Sequence, residues 1–210
     1  WSSDVCSSDL ETVRVHRYQG QTDSQRQLRL EKALREGLAD PQFRIHYQPR
    51  VDPNDGQVRA VEALVRWQDA DHGEVHPAQF LPLAEKCGLS GVLDEWVLEH
   101  AVRQAVEWRR AGLDLVLNVN VGKAQLAQPG YVRRVEAVLN HHGWPASQLE
   151  VDVTEATLRA EPEAALATLR ALRRLGVRVV LDDFGTGEAS LALLRSEEHT
   201  SELQSRVDIS

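Results

Sequence analysis

The alternation of apolar strand patterns with amphipathic helix patterns constrains the fold of this chain more than any other feature. Two strand patterns flank Pro53-Asn54-Asp55-Gly56, which has the composition of a turn, so a β-hairpin is predicted over residues 43–67. Strands that alternate with helices need right-handed crossovers, which produce a mostly parallel sheet. The later helices are predicted at residues 77–87, 89–111, 131–142 and 162–175, and the later strands at 113–121, 149–155 and 177–185.

These five strands fit two α/β architectures, an open doubly wound sheet or a barrel. No G-x-G-x-x-G sequence follows the first strand, so the nucleotide crevice of a doubly wound sheet is not favoured. A (β/α)8 barrel of which the chain holds about the first five strands fits the pattern better. An N-terminal helix is also predicted, from Asp23 or Ser24 as its cap to Leu38.

Four successive strands each contain a polar acceptor that interrupts or ends an apolar run. A carboxylate in such a position is costly to bury unless a cation or hydrogen-bond donors satisfy it. Barrel enzymes build their sites at the carboxyl ends of strands, and oxygen ligands suit Mg²⁺ or Mn²⁺. The pattern therefore fits metal-dependent phosphoryl chemistry or, alternatively, structural acids. The residues concerned are Glu62, Asn120, Asp152, Asp182 and Asp183.

The two ends of the chain are polar and without period, and we expect both to be non-native. One back-translation of residues 195–204 has a reverse complement that encodes residues 1–10, so the ends read as opposite strands of one DNA sequence. That sequence resembles a short-read sequencing adapter, and such segments are excluded from fold reasoning. The natural portion is then residues 11–194.

Charge and cysteine content exclude some classes of protein. The net charge is −8, of which the two ends contribute half, and a mildly acidic remainder argues against a nucleic-acid surface. Outside the ends Cys87 is the single cysteine, so a reducing, cytoplasmic compartment is expected. No apolar run approaches the ~20 residues that span a bilayer. A preceding segment of the parent protein could still anchor it to a membrane.

Five motifs, at matching order and spacing, resemble the EAL domain family over about residues 28–194. Two longer segments between them, "FLPLAEKCGL" and "LRALRRLGVRVVLDDFGTG", match the same family. The motifs are "YQP" from Tyr47, "EALVRW" from Glu62, "NVNVGKAQL" from Asn118, "DVTE" from Asp152 and "DDFGTG" from Asp182.

The resemblance implies a TIM-like barrel whose first strand is antiparallel to the rest, and hydrolysis of cyclic di-GMP to linear pGpG with two Mg²⁺ or Mn²⁺ ions. It implies that Gln48 and Arg66 bind the substrate, with the Arg66 guanidinium suited to phosphate. It implies that Glu155 holds the loop over residues 183–190 in place. By the same resemblance the metal ligands are Glu62, Asn120, Asp152, Asp182 and Asp183, and the catalytic residues are Glu62, Asp182, Asp183 and Glu155.

Departures from the family pattern keep a second function open. Asp152 stands where the family usually has Glu, Gly122 where it has Ser, and Glu188-Ala189 where it has Tyr-Ser. These changes leave a catalytically degenerate domain that binds cyclic di-GMP as a receptor or signalling module. The K-I-D lysine, a further glutamate and a late glutamine of the family's later strands have no counterpart here, so the parent protein is expected to be the active phosphodiesterase and this chain inactive.

The expected organisation is a partial EAL domain between two short flanks. Residues 11–27 resemble the junction downstream of GGDEF domains, so an upstream GGDEF or sensor domain is an expected partner, and a homodimer stays open. His141 and His142, before Gly143, are interpreted as helix-end histidines rather than as metal ligands. The segments are residues 1–10 (adapter), 11–27 (linker), 28–194 (partial EAL domain) and 195–210 (adapter).

Overall fold

The structure is a computed structural model that describes Leu28 and residues 31–36, 42–69, 73–160 and 162–182, with the backbone alone for Glu155, Ala156, Ala160, Pro162 and Asp182. The predicted flanks, residues 1–27 and 195–210, lie outside this range. The helices are α1 (31–36), α2 (Pro77–Lys86), α3 (Ser90–Arg110), α4 (Lys123–Leu126), α5 (Tyr131–His142), α6 (Glu155–Ala160) and α7 (Pro162–Leu175), with a 3-10 turn at Ala146–Gln148. The strands are β1 (Phe43–Val51), β2 (Val58–Asp69), β3 (Gly73–Val75), β4 (Val116–Asn120), β5 (Leu149–Thr154) and β6 (Arg178–Asp182).

The predicted hairpin is confirmed, and its strands are antiparallel. The Asp52 amide donates to the Gln57 carbonyl oxygen at 2.9 Å, and the Gln68 amide donates to the Gln42 carbonyl oxygen at 2.8 Å. Residue numbers rise on one strand as they fall on the other, which is the antiparallel sense. Gly56 has a φ of 68°, a left-handed conformation that glycine adopts without steric cost.

The described strands form one sheet in the order β1-β2-β4-β5-β6, with β3 added to β2. Strands β2, β4, β5 and β6 are parallel to one another, whereas β3 pairs antiparallel with β2. The first strand is therefore antiparallel to the parallel set, as the resemblance implied. The sheet is parallel-dominated and its crossovers contain helices, which confirms the predicted α/β class.

The chain divides into two compact units, residues up to 46 with 65–93, and residues 47–64 with 94 onward. In the first unit, three aromatic rings form the centre of the core. The rings of Phe43 and Trp67 stack at 5.6 Å, and Phe80 meets both edge-on. The Trp67 indole Nε1 donates to Gln42 Oε1 at 3.2 Å, so its polar atom is satisfied although the side chain is buried.

In the second unit, one face of the parallel strands is apolar and buried. Successive side chains of a strand point to opposite faces, so alternate residues of each strand contribute to this core. Its members come from three neighbouring strands of the sheet. They are Val61, Ala63, Leu117, Val119, Leu149, Val151 and Val153.

Several helix ends were predicted correctly, and the structure also shows two corrections. Helix α5 ends at His142, and Gly143 caps it with a φ of 64°. Glu155 was predicted as a strand residue but begins α6, and β3 was not predicted. Val92 of α3 is 54% exposed, whereas Leu93 and Val97 of the same helix are buried. Among the described residues, no helix combines the length and apolarity that crossing a bilayer requires.

Candidate functional site

The face of the sheet opposite the apolar core is polar in the second unit. Glu62 of β2 lies opposite Asn118 of β4, and Asn120 lies opposite Asp152 of β5. Residues two apart on a strand share a face, so Glu62, Asn120 and Asp152 lie on the same face of three adjacent strands. The backbone of Asp182, the last residue of β6, pairs with Thr154. The structure thus places Glu62, Asn120, Asp152 and the backbone of Asp182 on four adjacent strands.

Glu62 and Asn120 are in direct contact. The Asn120 Nδ2 donates to Glu62 Oε1 at 2.8 Å. This bond uses the amide nitrogen of one residue and a single carboxylate oxygen of the other. The Asn120 amide oxygen and the second Glu62 oxygen are therefore the atoms with which this pair could bind a cation. Glu62 is half-buried and Asn120 is exposed, so the pair is accessible.

A second polar layer lies next to this pair, and sequence reasoning missed it. Glu150 Oε1 accepts hydrogen bonds from Arg50 Nη1 at 2.6 Å and from Asn118 Nδ2 at 3.0 Å. Asn118 is fully buried. The available signal was the alternation itself, because Asn118 and Glu150 each precede a predicted site residue by two positions.

For the remaining predicted site residues whose side chains the structure describes, it gives a position on a strand and an exposure. Gln48 is exposed on β1, and Asp152 is half-buried on β5. Arg66 belongs to the first unit, where its Nη1 donates to the Val65 carbonyl oxygen at 3.0 Å. Asp183 and the side chains of Glu155 and Asp182 lie outside the described part of the chain.

The turn from β5 into α6 is fixed by a threonine cap. Thr154 Oγ1 accepts from the Thr157 amide at 3.3 Å and lies 3.0 Å from Thr157 Oγ1. A side-chain oxygen that binds the third amide of a helix satisfies a donor that has no partner within the helix. The cap therefore sets the start of α6 at Glu155, directly after the polar face.

Burial raises the pKa of three groups in this unit, Tyr47, Asp94 and Tyr131. Burial raises the pKa of Tyr47 to about 12, so its hydroxyl stays protonated; its ring meets Trp108 edge-on at 4.5 Å. Burial also raises the pKa of Asp94 to about 7.

A parallel-dominated α/β sheet that presents acidic and amide side chains on one face of three adjacent strands is the arrangement by which this chain can be classified. Residues 31–198 match the model of the EAL domain, and the chain belongs to the EAL domain family. Its fold is the TIM-like fold of that family.

Named relatives and solved structures agree with this assignment. The chain is 42% identical over 174 residues to the bifunctional diguanylate cyclase/cyclic di-GMP phosphodiesterase MucR of Pseudomonas aeruginosa, covering 82% of this chain and 25% of MucR. It is 39% identical over 165 residues to the cyclic di-GMP phosphodiesterase PdeR of Escherichia coli, covering 79% of this chain and 25% of PdeR. The chain thus spans about a quarter of the length of these relatives.

Two solved structures have the same fold. The PaMucR phosphodiesterase in complex with c-di-GMP matches with a TM-score of 0.75 and 42% identity, covering 80% of this chain and 68% of the other. The Xanthomonas citri FimX EAL domain in complex with c-di-GMP matches with a TM-score of 0.73 and 27% identity, covering 83% and 68%.

Proposed function

We propose that this chain is part of a metal-dependent phosphodiesterase that hydrolyses cyclic di-GMP to linear pGpG. The observation that carries the proposal is the contact between Asn120 and Glu62, with Asp152 beside Asn120 in the ladder. Family membership and the named activities of MucR and PdeR support the same substrate. In the same proposal the domain acts in the cytoplasm.

The side chains on this face fit two hard cations. Carboxylate and amide oxygens are the ligands that Mg²⁺ and Mn²⁺ prefer. We assign Glu62, Asn120 and Asp152 to this role, together with Asp182 and Asp183. Bound ions would activate a water and stabilise the charge that develops on the phosphate.

The protein side chains have distinct tasks in this proposal. The bond from Asn120 orients the Glu62 carboxylate before any ion binds, which lowers the entropy lost on binding. Gln48 and Arg66 hold the substrate, and the fixed donor geometry of a guanidinium suits a phosphate. Glu155, placed at the start of α6 by the Thr154 cap, positions the segment after β6.

Hydrolysis of cyclic di-GMP with Mg²⁺ or Mn²⁺ tests the proposal. It is measured on this chain and on a continued chain, in which the coding sequence of the gene follows residue 194. The product followed is pGpG. Turnover is expected in the continued chain. Glu62→Gln keeps the size of the side chain and removes its charge, so we expect it to abolish that turnover. Glu95→Gln alters an exposed glutamate of α3 and is expected to leave turnover unchanged.

A receptor is the second candidate, and Asp152 favours it, since its carboxylate is one methylene shorter than the family's usual glutamate. Tight binding of cyclic di-GMP without pGpG formation in the continued chain would establish that function. Turnover restored by Asp152→Glu would then identify the shorter side chain as the cause. Absence of both binding and turnover would contradict both candidates.

The partners follow from the same proposal. The bifunctional name of MucR and the resemblance of residues 11–27 to a GGDEF junction support an upstream GGDEF or sensor domain. A homodimer remains part of the proposal to be tested by the mass of the purified protein.

A further inference from the structure

Two helices bring three potential metal ligands together away from the polar face. Glu99 lies in the middle of α3, and His141 and His142 are the last two residues of α5. One ligand atom from each of these side chains lies within 4.8 Å of the other two. Sequence reasoning placed the histidines at a helix end, but it had no means to bring Glu99 beside them.

The geometry is close to that of a zinc site. His142 Nε2 and Glu99 Oε1 are 2.6 Å apart, and the two imidazole rings are 4.8 Å apart at an interplanar angle of 81°. Ligands of a tetrahedral Zn²⁺ ion lie roughly 3.4 Å from one another. Side-chain rotations that move these atoms by less than about 2 Å would therefore bring all three within coordinating distance of one ion. His141 is exposed and can turn without disturbing the core.

Two of the three ligands are already held in place. The Glu99–His142 contact fixes the carboxylate against the imidazole, and the His142 side chain is only 13% exposed. Gly143 ends α5 in a left-handed conformation, which stops the helix directly after both histidines. The ordering that metal binding requires is therefore partly present in the fold.

The cluster is distinct from the proposed hydrolytic site in both position and chemistry. Helix α5 leads through the 3-10 turn to the amino end of β5, whereas Asp152 and Thr154 are near the carboxyl end of that strand. Imidazole ligands suit Zn²⁺, Cu²⁺ and Ni²⁺, whereas oxygen ligands suit Mg²⁺ and Mn²⁺. The two sites should therefore select different ions.

We propose that Glu99, His141 and His142 form a binding site for a borderline transition-metal ion, with Zn²⁺ as its natural occupant. Two imidazoles and one carboxylate are a ligand set that zinc accepts, with a water in the fourth position. The ion links α3 to α5 and stabilises the second unit by mass action.

Zn²⁺ titration of the full 210-residue chain, followed by calorimetry in excess Mg²⁺, tests this proposal. We expect one bound ion per chain. His141→Ala removes an exposed ligand and leaves the Glu99–His142 contact intact, so its effect is not confounded by misfolding. It is expected to weaken Zn²⁺ binding by about tenfold or more. Glu99→Gln, which keeps a hydrogen-bond acceptor, is expected to do the same.

Matched controls separate this site from others. His46→Ala and Glu95→Gln each change an exposed side chain outside the cluster, and both should bind Zn²⁺ as the unaltered chain does. Glu62→Gln should also retain binding, since the polar face is not involved. Co²⁺ gives visible absorption bands that depend on nitrogen ligands, and these should be lost in His141→Ala. Undetectable Zn²⁺ binding, or equal binding by the His141→Ala and unaltered chains, would overturn the proposal.

Discussion

Glu150 is the residue on which the second polar layer depends. Its carboxylate is 12% exposed and accepts from both Arg50 and Asn118. Asn118 is fully buried, so if the Glu150 carboxylate were removed, the Asn118 amide would lose an acceptor that water does not readily replace. The layer thus supports the strands that carry Asn120 and Asp152.

Glu150→Ala should lower the free energy of unfolding by about 1–3 kcal/mol, because it leaves a buried donor unsatisfied. Glu150→Gln keeps an acceptor oxygen and should cost less. Urea unfolding measures both, and Glu136→Ala, at an exposed position of α5, serves as the control. A loss no larger than that of the control would show that the layer does not stabilise the sheet.

Asp94 should make stability depend on pH. Burial raises its pKa from 3.8 to about 7, so between these values the folded chain holds a proton that the unfolded chain has released. Stability attributable to this group therefore falls as pH rises from about 4 to 7. Asp94→Asn should be more stable than the unaltered chain at pH 8, on the order of 4 kcal/mol, and no more stable at pH 4.

Thermal unfolding at the two pH values measures this difference, with Glu95→Gln as a neighbouring exposed control. An equal gain for Asp94→Asn at both pH values would assign the effect to packing rather than to ionisation.

The residues of the polar face could be predicted in part from the sequence. Glu62, Asn120 and Asp152 stand out because each is an acceptor within an apolar strand, and the parallel register brings them to one face. Glu150 and Asn118 were missed because the partners that satisfy them are distant: Glu150 accepts from Arg50, 100 residues away, and from Asn118, 32 residues away. The strand alternation places both residues on the polar face, but it does not reveal which partner satisfies them.

At the scale of elements, boundaries with a strong local cause were predictable. The ends of α5 and α7 coincide with glycines whose φ is positive, and the hairpin follows from its turn residues. Strand β3 has three residues, too few for a periodicity, and exists because the Trp67 segment offers it a partner. Helix α6 was missed because Thr154 caps it without any break after β5.

Thr154→Ala should cost about 1 kcal/mol of stability, because the Thr157 amide loses its acceptor. Thr154→Ser keeps the hydroxyl and should retain most of the stability. Chemical unfolding compares the two variants. Equal losses in both would mean that the methyl group of Thr154, rather than the cap, is what matters.

At the scale of the whole molecule, the proposed hydrolytic site should make stability depend on divalent ions. An ion that binds only the folded chain stabilises it by mass action, by about 2.7 kcal/mol at a hundredfold excess over Kd. The Tm should therefore rise with Mg²⁺ or Mn²⁺ and fall again after chelation. Asn120→Ala removes a proposed ligand and should reduce the rise.

Scanning calorimetry with increasing Mg²⁺ measures this response, and Asn140→Ala, at an exposed position of α5, is the matched control. An undiminished rise in Asn120→Ala would exclude this residue from the ion-binding set.

The contact between Asn120 and Glu62 joins residues 58 positions apart. During synthesis on the ribosome, the hairpin that carries Glu62 emerges before β4. The Glu62 carboxylate therefore has no bond from Asn120 until β4 has been made. Closing so long a loop is slow compared with forming the hairpin. The polar face can therefore form only after β4 has been synthesised, and a chain stalled before β4 would carry the "EAL" motif without the Asn120 contact that orients its glutamate.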